Sequence, residues 1–193
     1  MSAVNSTMLE LGTKAPEFSL PDVISGESYS LEKFKGNKAV LIIFMCNHCP
    51  YVKLIKESLV EYAADYMPKG VGFIAVSSND IENYPDDGPE KMKEDAERLG
   101  YPFPYLFDES QEVAKAYKAA CTPDLFLFDE NLELKYRGQF DDSRPGNDID
   151  PTGADLREAT DKVLSGETVP EDQTPSVGCN IKWKKGNEPE YFG

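Results

Sequence analysis

The chain has 193 residues, a length that suits one domain with an appendage and can bury a hydrophobic core without disulfide stapling. Its 35 acidic and 20 basic residues give a formal charge of −15, which excludes nucleic acid and anionic membrane surfaces as favoured partners. Because the sequence has no apolar run of transmembrane length and no signal-peptide pattern at its start, we expect a cytoplasmic protein.

The first predicted elements are a loose lead-in over residues 1–12 and a small β-hairpin of Gly12–Leu20 and Tyr29–Leu31. Lys38–Phe44 is almost continuously apolar, which predicts a strand covered on both faces, as in the middle of an α/β sheet. The segment that begins at Pro50 repeats apolar residues every three or four positions, which predicts an amphipathic helix.

Strands and helices continue to alternate in the rest of the chain. The predicted elements are a strand at Val71–Val76, a helix at Pro89–Leu99, a short strand at Tyr105–Phe107, a helix at Glu109–Ala120, a hairpin of Leu125–Phe128 with Glu133–Phe140, and a helix at Ala154–Leu164. This order predicts an α/β fold with a mixed central sheet flanked by helices, formed by residues 10–166. Residues 167–193 are rich in Pro, Gly and polar side chains and predict a C-terminal extension on the domain surface.

Two cysteines of the chain lie at a spacing that indicates redox chemistry. Cys46 and Cys49 are separated by two residues and stand between the buried strand and the helix. A thiolate at a helix N-terminus is stabilised by unpaired N–H groups and the helix dipole, and the thiolate is the nucleophile of thiol–disulfide exchange. His48, the only histidine, is expected to stabilise that thiolate; the alternative is a solvated loop residue.

Metal binding is a competing interpretation of the same residues. Cys46, His48, Cys49 and Cys121 could supply two to four soft ligands. A closed zinc site usually contains a second Cys/His pair at a defined spacing, and the sequence has no such pair. We therefore expect neither a metal ion nor an organic cofactor.

Several segments resemble a known family. Gly12–Leu20 is similar to the opening of the redoxin (alkyl hydroperoxide reductase/thiol-specific antioxidant, AhpC/TSA) family, and the strand–CxxC–helix unit resembles thioredoxin. The closest resemblance, over about residues 10–186, is to the peroxiredoxin-like subgroup with the motif Cys-Asn-His-Cys. Further landmarks of this subgroup are Tyr101–Tyr105, Cys121–Asp124, Asp141–Gly146 and Gly178–Trp183. The resemblance implies a thioredoxin-like fold in which Thr122 and a cis Pro123 face the cysteines and position an extended substrate.

The sequence also departs from both better-known relatives. By resemblance, the peroxidatic cysteine of peroxiredoxins falls at Cys49, but the Thr or Ser three residues earlier is Cys46, and the peroxide-polarising Arg falls near Thr122. The Trp and the buried Asp of thioredoxin are replaced by Met45 and Val40. These departures argue against both an efficient peroxidase and a general disulfide reductase.

Three functions are compatible with the sequence. The first is a thiol–disulfide oxidoreductase, in which Cys46, nearer the helix N-terminus and more exposed, meets the substrate and Cys49 resolves the mixed disulfide. The second is a peroxiredoxin-like thiol peroxidase or antioxidant, in which Cys49 becomes a sulfenic acid and Cys46 or Cys121 condenses with it. The third is a metal- or partner-binding thiol module without turnover.

The enzyme hypotheses imply two kinds of partner. One is a disulfide-containing protein, a small molecule or a peroxide as substrate, and the other is a thiol reductant. For Cys121, an extra resolving role and a buried packing role remain equal alternatives. For Cys179, the sequence favours packing, because free cysteines are usually buried and inert. The oligomeric state is not predicted.

Overall fold

The computed structural model describes residues 3–192, in which ten strands and four α-helices follow one another. The strands are β1 (Ala3–Asn5), β2 (Ser19–Pro21), β3 (Ser28–Ser30), β4 (Ala39–Phe44), β5 (Val71–Ser77), β6 (Tyr105–Phe107), β7 (Cys121–Thr122), β8 (Asp124–Asp129), β9 (Leu134–Tyr136) and β10 (Val177–Asn180). The helices are α1 (Pro50–Tyr66), α2 (Pro89–Leu99), α3 (Glu112–Ala116) and α4 (Ala154–Ser165), with short 3₁₀ turns at Leu31–Phe34, Met67–Lys69 and Pro85–Asp87. No helix within residues 3–192 is both long and apolar enough to cross a membrane.

A five-stranded sheet forms the centre of the fold, with strand order β6-β5-β4-β8-β9. Strands β4, β5 and β6 are parallel, whereas β8 runs antiparallel to both β4 and β9. All six residues of β4 are buried, because α1, α2 and α4 cover one face of the sheet and the β2–β3 hairpin and α3 cover the other. The predicted mixed α/β sheet is confirmed.

Helix α1 is held against the sheet by an apolar face and by a buried hydroxyl pair. Its residues Val52, Ile55 and Leu59 pack in one hydrophobic cluster with the β4 side chains that point to this face. The Tyr62 hydroxyl donates to Thr160 Oγ1 of α4 over 2.8 Å, and both residues are fully buried. The start of α1 is thereby fixed beside the end of β4, where the cysteine motif lies.

Both ends of the described chain are built more deeply into the fold than the sequence predicts. Strand β1 lies in the predicted loose lead-in, and β10 lies in the predicted surface extension. They form a second sheet of order β1-β10-β7, and Ile181 just after β10 is 1 % exposed. The loose lead-in is wrong for residues 3–5, because β1 is short and is stabilised by β10, which is far away in sequence. The C-terminal segment packs on the domain through β10, whose partners β1 and β7 are also distant in sequence. The division of the chain at residues 166 and 167 stays a prediction.

Two predicted elements are shorter in the structure. Helix α3 begins at Glu112 rather than at residue 109, because Gln111 has a left-handed backbone (φ 66°) and its side chain donates to the Ser78 and Lys182 carbonyls. Strand β9 ends at Tyr136 rather than at residue 140, because the chain turns there to pair Gly138 with the C-terminal segment.

Candidate redox site

The cysteine motif connects the buried strand β4 to helix α1. Cys49 is the N-cap of α1, and Cys46 lies three residues further from the helix. Cys46 is 1 % exposed and Cys49 is fully buried, and both are free thiols. The prediction that Cys46 is nearer the helix N-terminus is therefore wrong, and exposure hardly distinguishes the two thiols because both are buried. Cys49 takes the capping position because α1 begins at the next residue, Pro50.

The pKa values of the two thiols shift in opposite directions because the thiols share one hydrogen bond. The pKa of Cys49 is lowered to about 4, first by the hydrogen bond from Cys46 and then by that from Cys179, despite the opposing effect of burial. The pKa of Cys46 is raised well above its usual value, first because it donates to Cys49 and further by burial and by the charge of Asp87. Cys49 is therefore the more acidic of the two thiols.

His48 lies beside the thiols in a fixed orientation. Its Nδ1 is 2.5 Å from the Asp87 carboxylate and 3.9 Å from Cys46 Sγ. Because an ionised carboxylate can only accept, the Nδ1–H donates to Asp87. The ring also stacks on Tyr84, with centroids 5.5 Å apart and an interplanar angle of 12°. His48 is thus placed near Cys46 by two contacts from the loop before α2.

Asp87 organises the motif, and the sequence analysis did not identify it. Its carboxylate is fully buried and accepts hydrogen bonds from the backbone N–H groups of Asn47 (2.8 Å) and His48 (3.2 Å) and from Asn79 Nδ2 (2.9 Å), besides His48 Nδ1. Burial alone would raise the pKa of Asp87, but the hydrogen bonds from His48 and Asn79 outweigh it and the pKa is lowered. The residue lies between the predicted strand Val71–Val76 and the predicted helix Pro89–Leu99, next to the exposed Asp86. No local sequence signal distinguishes the two.

Thr122 and Pro123 face the cysteines, as the resemblance implies. The Thr122–Pro123 peptide bond is cis. Thr122 Oγ1 lies 3.5 Å from Cys46 Sγ, and the Thr122 carbonyl oxygen lies 3.1 Å from Cys49 Sγ. The positioning role of these residues toward a substrate stays a prediction. In the structure, strand β10 of the same chain pairs with Thr122.

A third thiol reaches the site from the C-terminal segment. Cys179 pairs with Thr122 across the β10–β7 ladder, and its Sγ lies 2.9 Å from Cys49 Sγ. Cys179 is buried, as a packing residue would be, yet it contacts the Cys49 sulfur. Cys121, the extra thiol singled out from the sequence, instead directs its Sγ at the carbonyls of Pro123 and Ser176. Since a strand alternates its side chains, Thr122 and Cys121 point in opposite directions.

Three of the side chains form a possible metal-binding set. Cys46, His48 and Asp87 offer one ligand atom each, and these atoms lie within 4.8 Å of one another. The set differs from the one considered in the sequence, because it contains Asp87 and lacks Cys49 and Cys121. Each of these atoms already has hydrogen-bond partners in the protein.

The fold and the two cysteines between β4 and α1, opposite a cis-proline loop, define a thioredoxin-like thiol-dependent oxidoreductase. Comparison with known proteins makes this class specific. The Redoxin family model matches residues 10–156, so the chain belongs to the Redoxin family. The predicted thioredoxin-like fold and redoxin family are confirmed.

The similar proteins include both a thiol-disulfide oxidoreductase and a putative peroxiredoxin. The thiol-disulfide oxidoreductase ResA of Geobacillus kaustophilus is 31 % identical over 129 residues, which cover 67 % of this chain and 69 % of that protein. A putative peroxiredoxin of Mycobacterium tuberculosis is 27 % identical over 114 residues, covering 59 % of this chain and 67 % of that protein. An uncharacterized conserved protein from Geobacillus kaustophilus, known as a crystal structure, is 59 % identical, with a TM-score of 0.93 over 95 % of this chain and 97 % of its own.

Proposed function

We propose that the protein is a thiol–disulfide oxidoreductase whose redox centre is the Cys46–Cys49 pair. The observation that carries this proposal is the geometry of the pair: the two thiols lie between β4 and α1, and Thr122, in the cis peptide bond before Pro123, contacts both sulfurs. The lowered pKa of Cys49 and the raised pKa of Cys46 make Cys49 the more acidic thiol of the two. A dithiol of this kind has one nucleophile and one protonated thiol ready for the second step. The similarity to a named thiol-disulfide oxidoreductase supports the same reaction class.

The proposed cycle begins at Cys49. Its thiolate attacks one sulfur of a substrate disulfide, forms a mixed disulfide and releases the first substrate thiolate. The Cys46 sulfur then attacks Cys49 Sγ, and the departing second substrate thiolate takes up the Cys46 proton. The substrate gains two electrons, the protein is left with a Cys46–Cys49 disulfide, and a thiol reductant restores the dithiol. This order assigns the first attack to Cys49 rather than to Cys46.

His48 and Asp87 act on this cycle as positioning residues. Asp87 accepts from the backbone N–H groups of both Asn47 and His48, so it fixes the loop between the two cysteines. It also holds the His48 ring close to Cys46. The substrate partner is a disulfide-containing protein or small molecule, and the second partner is a thiol reductant.

The test compares matched cysteine variants in dithiol-driven reduction of a protein disulfide. We expect Cys49→Ser to abolish catalysis and Cys46→Ser to lower the rate at least about tenfold, because the mixed disulfide loses its partner thiol. Cys121→Ser is the matched control, since this thiol is equally buried but faces carbonyl groups, and it should keep the wild-type rate. Wild-type rates in both Cys46→Ser and Cys49→Ser would refute the proposal.

Peroxide reduction is the second candidate, favoured by the lowered pKa of Cys49 and by the similarity to a putative peroxiredoxin. The polar side chains in contact with Cys49 in the described part of the chain are those of Cys46, Cys179 and Thr122, none of them cationic. A departing peroxide oxygen therefore gains little electrostatic stabilisation. Peroxide consumption by Cys46→Ser at the wild-type rate, with a sulfenic acid at Cys49, would replace the first proposal by this one.

The metal-binding alternative is tested by the same variants. If neither cysteine substitution changes any redox assay while zinc binding is lost, both enzyme proposals fail. If zinc inhibits the wild-type reaction and chelation restores it, the metal is a competitor for the thiols and the first proposal stands.

A further inference from the structure

The C-terminal strand brings a third sulfur to the redox centre. Strand β10 runs antiparallel to β7, with Cys179 opposite Thr122. The Cys179 and Cys49 sulfurs are 2.9 Å apart, which is about 0.9 Å longer than a disulfide bond. We propose that Cys179 is a further catalytic residue, a third redox thiol that exchanges with the Cys46–Cys49 pair through Cys49. This proposal rests on the proposed function of that pair.

A glycine allows the strand to come this close. A Cβ on Gly178 would lie 2.0 Å from the Thr122 carbonyl oxygen and 3.1 Å from the Pro123 nitrogen. Backbone cannot yield to such a contact as a flexible side chain can, so any larger residue would push β10 away from β7. The position before Cys179 therefore has the one residue type that lets the third sulfur reach Cys49.

The segment around Cys179 is anchored on both sides. Before it, the Ser6 N–H donates to the Ser176 carbonyl over 2.9 Å, and β1 pairs along the outer edge of β10. After it, the Lys182 N–H donates to Asn79 Oδ1 over 2.9 Å, and the Lys182 carbonyl accepts from the Asp80 N–H over 2.8 Å. The sulfur–sulfur contact is therefore part of a fixed ladder and not a chance approach of a loose end.

Strand β10 occupies the position beside Thr122 and Pro123 that the resemblance to thioredoxin-like proteins assigns to an extended substrate. An extended substrate is expected to run along Thr122 beside the cis-proline and to present its disulfide to the cysteine pair. Strand β10 does this with residues of the same chain, because its backbone pairs with Thr122 and its Cys179 sulfur contacts Cys49. The C-terminal segment thus has the position of an intramolecular substrate.

The exchange needs no external oxidant or reductant. Starting from the Cys46–Cys49 disulfide, the Cys179 sulfur attacks Cys49 Sγ, a Cys49–Cys179 bond forms and the Cys46–Cys49 bond breaks. Cys46 leaves as a thiolate and takes up the proton lost by Cys179, so one disulfide and one thiol are present before and after. The same attack on a mixed disulfide at Cys49 releases the substrate thiol in place of Cys46.

The protonation of Cys179 depends on its burial and on the state of Cys49. The pKa of the Cys179 thiol is raised to about 12, first by burial and then by the neighbouring Cys49. Cys179 therefore stays protonated while Cys49 is a thiolate. Once Cys49 is part of a disulfide its charge is gone, and that part of the barrier to ionising Cys179 is removed.

The test follows the fate of a mixed disulfide at Cys49 in the full-length protein. Cys46→Ser, Cys46→Ser/Cys179→Ser and Cys46→Ser/Cys121→Ser are treated with oxidised glutathione, quenched with acid, alkylated and mapped by mass spectrometry without reduction. We expect Cys46→Ser and the Cys121 control to form an intramolecular Cys49–Cys179 disulfide. The Cys179 double variant should keep glutathione on Cys49 at least about tenfold longer, because the oriented intramolecular thiol is lost.

Each outcome decides between the two proposals. If wild type forms the Cys46–Cys49 disulfide but Cys46→Ser keeps its glutathione as long as the Cys179 double variant, the third-thiol proposal is wrong and the proposed function stands. If Cys49 takes up no glutathione and wild type forms no Cys46–Cys49 disulfide, both are wrong. Circular dichroism confirms the fold of each variant, and a rate that does not change with protein concentration distinguishes intramolecular exchange from dimer formation.

Discussion

Replacing Asp87 by Asn should loosen the redox loop and destabilise the protein. The carboxylate is fully buried and accepts four hydrogen bonds, from Asn47 N–H, His48 N–H, His48 Nδ1 and Asn79 Nδ2. An amide offers one oxygen, so its NH₂ group must face either the two backbone donors or the two side-chain donors. Asn79 cannot simply flip in response, because its Oδ1 already accepts from the Lys182 N–H.

The expected cost follows from the hydrogen bonds that Asp87→Asn removes. A hydrogen bond to a charged group contributes about 1.5–3 kcal/mol, and a buried donor left without an acceptor costs about 1–3 kcal/mol. We therefore expect the free energy of unfolding in guanidinium chloride to fall by about 3 kcal/mol. The pKa of Cys46 should fall as well, because the Asp87 charge raises it in the wild type. Thiolate absorbance against pH measures the second effect.

Asp86→Asn is the matched control for Asp87→Asn, because it removes the same charge from an exposed neighbouring residue. It should change the free energy of unfolding by less than about 0.5 kcal/mol. The pH dependence gives an independent check: because the pKa of folded Asp87 is lowered, its stabilisation is present above the unfolded pKa and is lost as the pH falls through the folded value. Equal stability of the Asp87 and Asp86 variants would refute the role given to Asp87.

Three further predictions concern the scaffold around the site. Burial raises the pKa of Asp124 to about 7. The free energy of unfolding of the wild type should therefore fall relative to that of Asp124→Asn as the pH rises from about 4 to 7, by up to about 1.4 kcal/mol per pH unit. Thermal melts across that pH range measure the difference. Gly178→Ala should destabilise the protein by about 2 kcal/mol in chemical denaturation, because its Cβ would overlap the Thr122 carbonyl. Tyr62→Phe should lower the free energy of unfolding by about 1 kcal/mol, because it removes the hydrogen bond to Thr160, and it should leave the redox assays unchanged.

The elements that could be predicted are those whose signal is local. The apolar run of β4 and the three-to-four periodicity of α1 each identify one element from its own residues. Cys46 and Cys49 lie between them, so the place of this cysteine pair in the fold followed from the sequence. The cis bond before Pro123 followed from the resemblance and not from base rates, which favour trans.

The residues that the sequence could not identify are those placed by long-range pairing. Asp87 and Asp86 are adjacent and chemically identical, and only the folded chain buries one and exposes the other. Cys179 lies 130 residues after Cys49, in a four-residue strand whose pairing depends on β1 and β7. A strand of this length has too few residues to show a period of two, so neither its existence nor the contact of its cysteine was predicted. The cytoplasmic location stays a prediction.

One side chain, that of Asn79, connects Asp87 with the segment around Cys179, the two features that the sequence did not predict. Asn79 donates through Nδ2 to Asp87, which fixes the loop between Cys46 and Cys49. It accepts through Oδ1 from the Lys182 N–H, which fixes the C-terminal segment just beyond Cys179. Movement of that segment would therefore remove a partner from Asn79, and Asn79 is in turn a partner of Asp87. The buried Asn79 amide, just after β5, therefore fixes both the segment that carries Cys179 and the loop that carries Cys46 and Cys49.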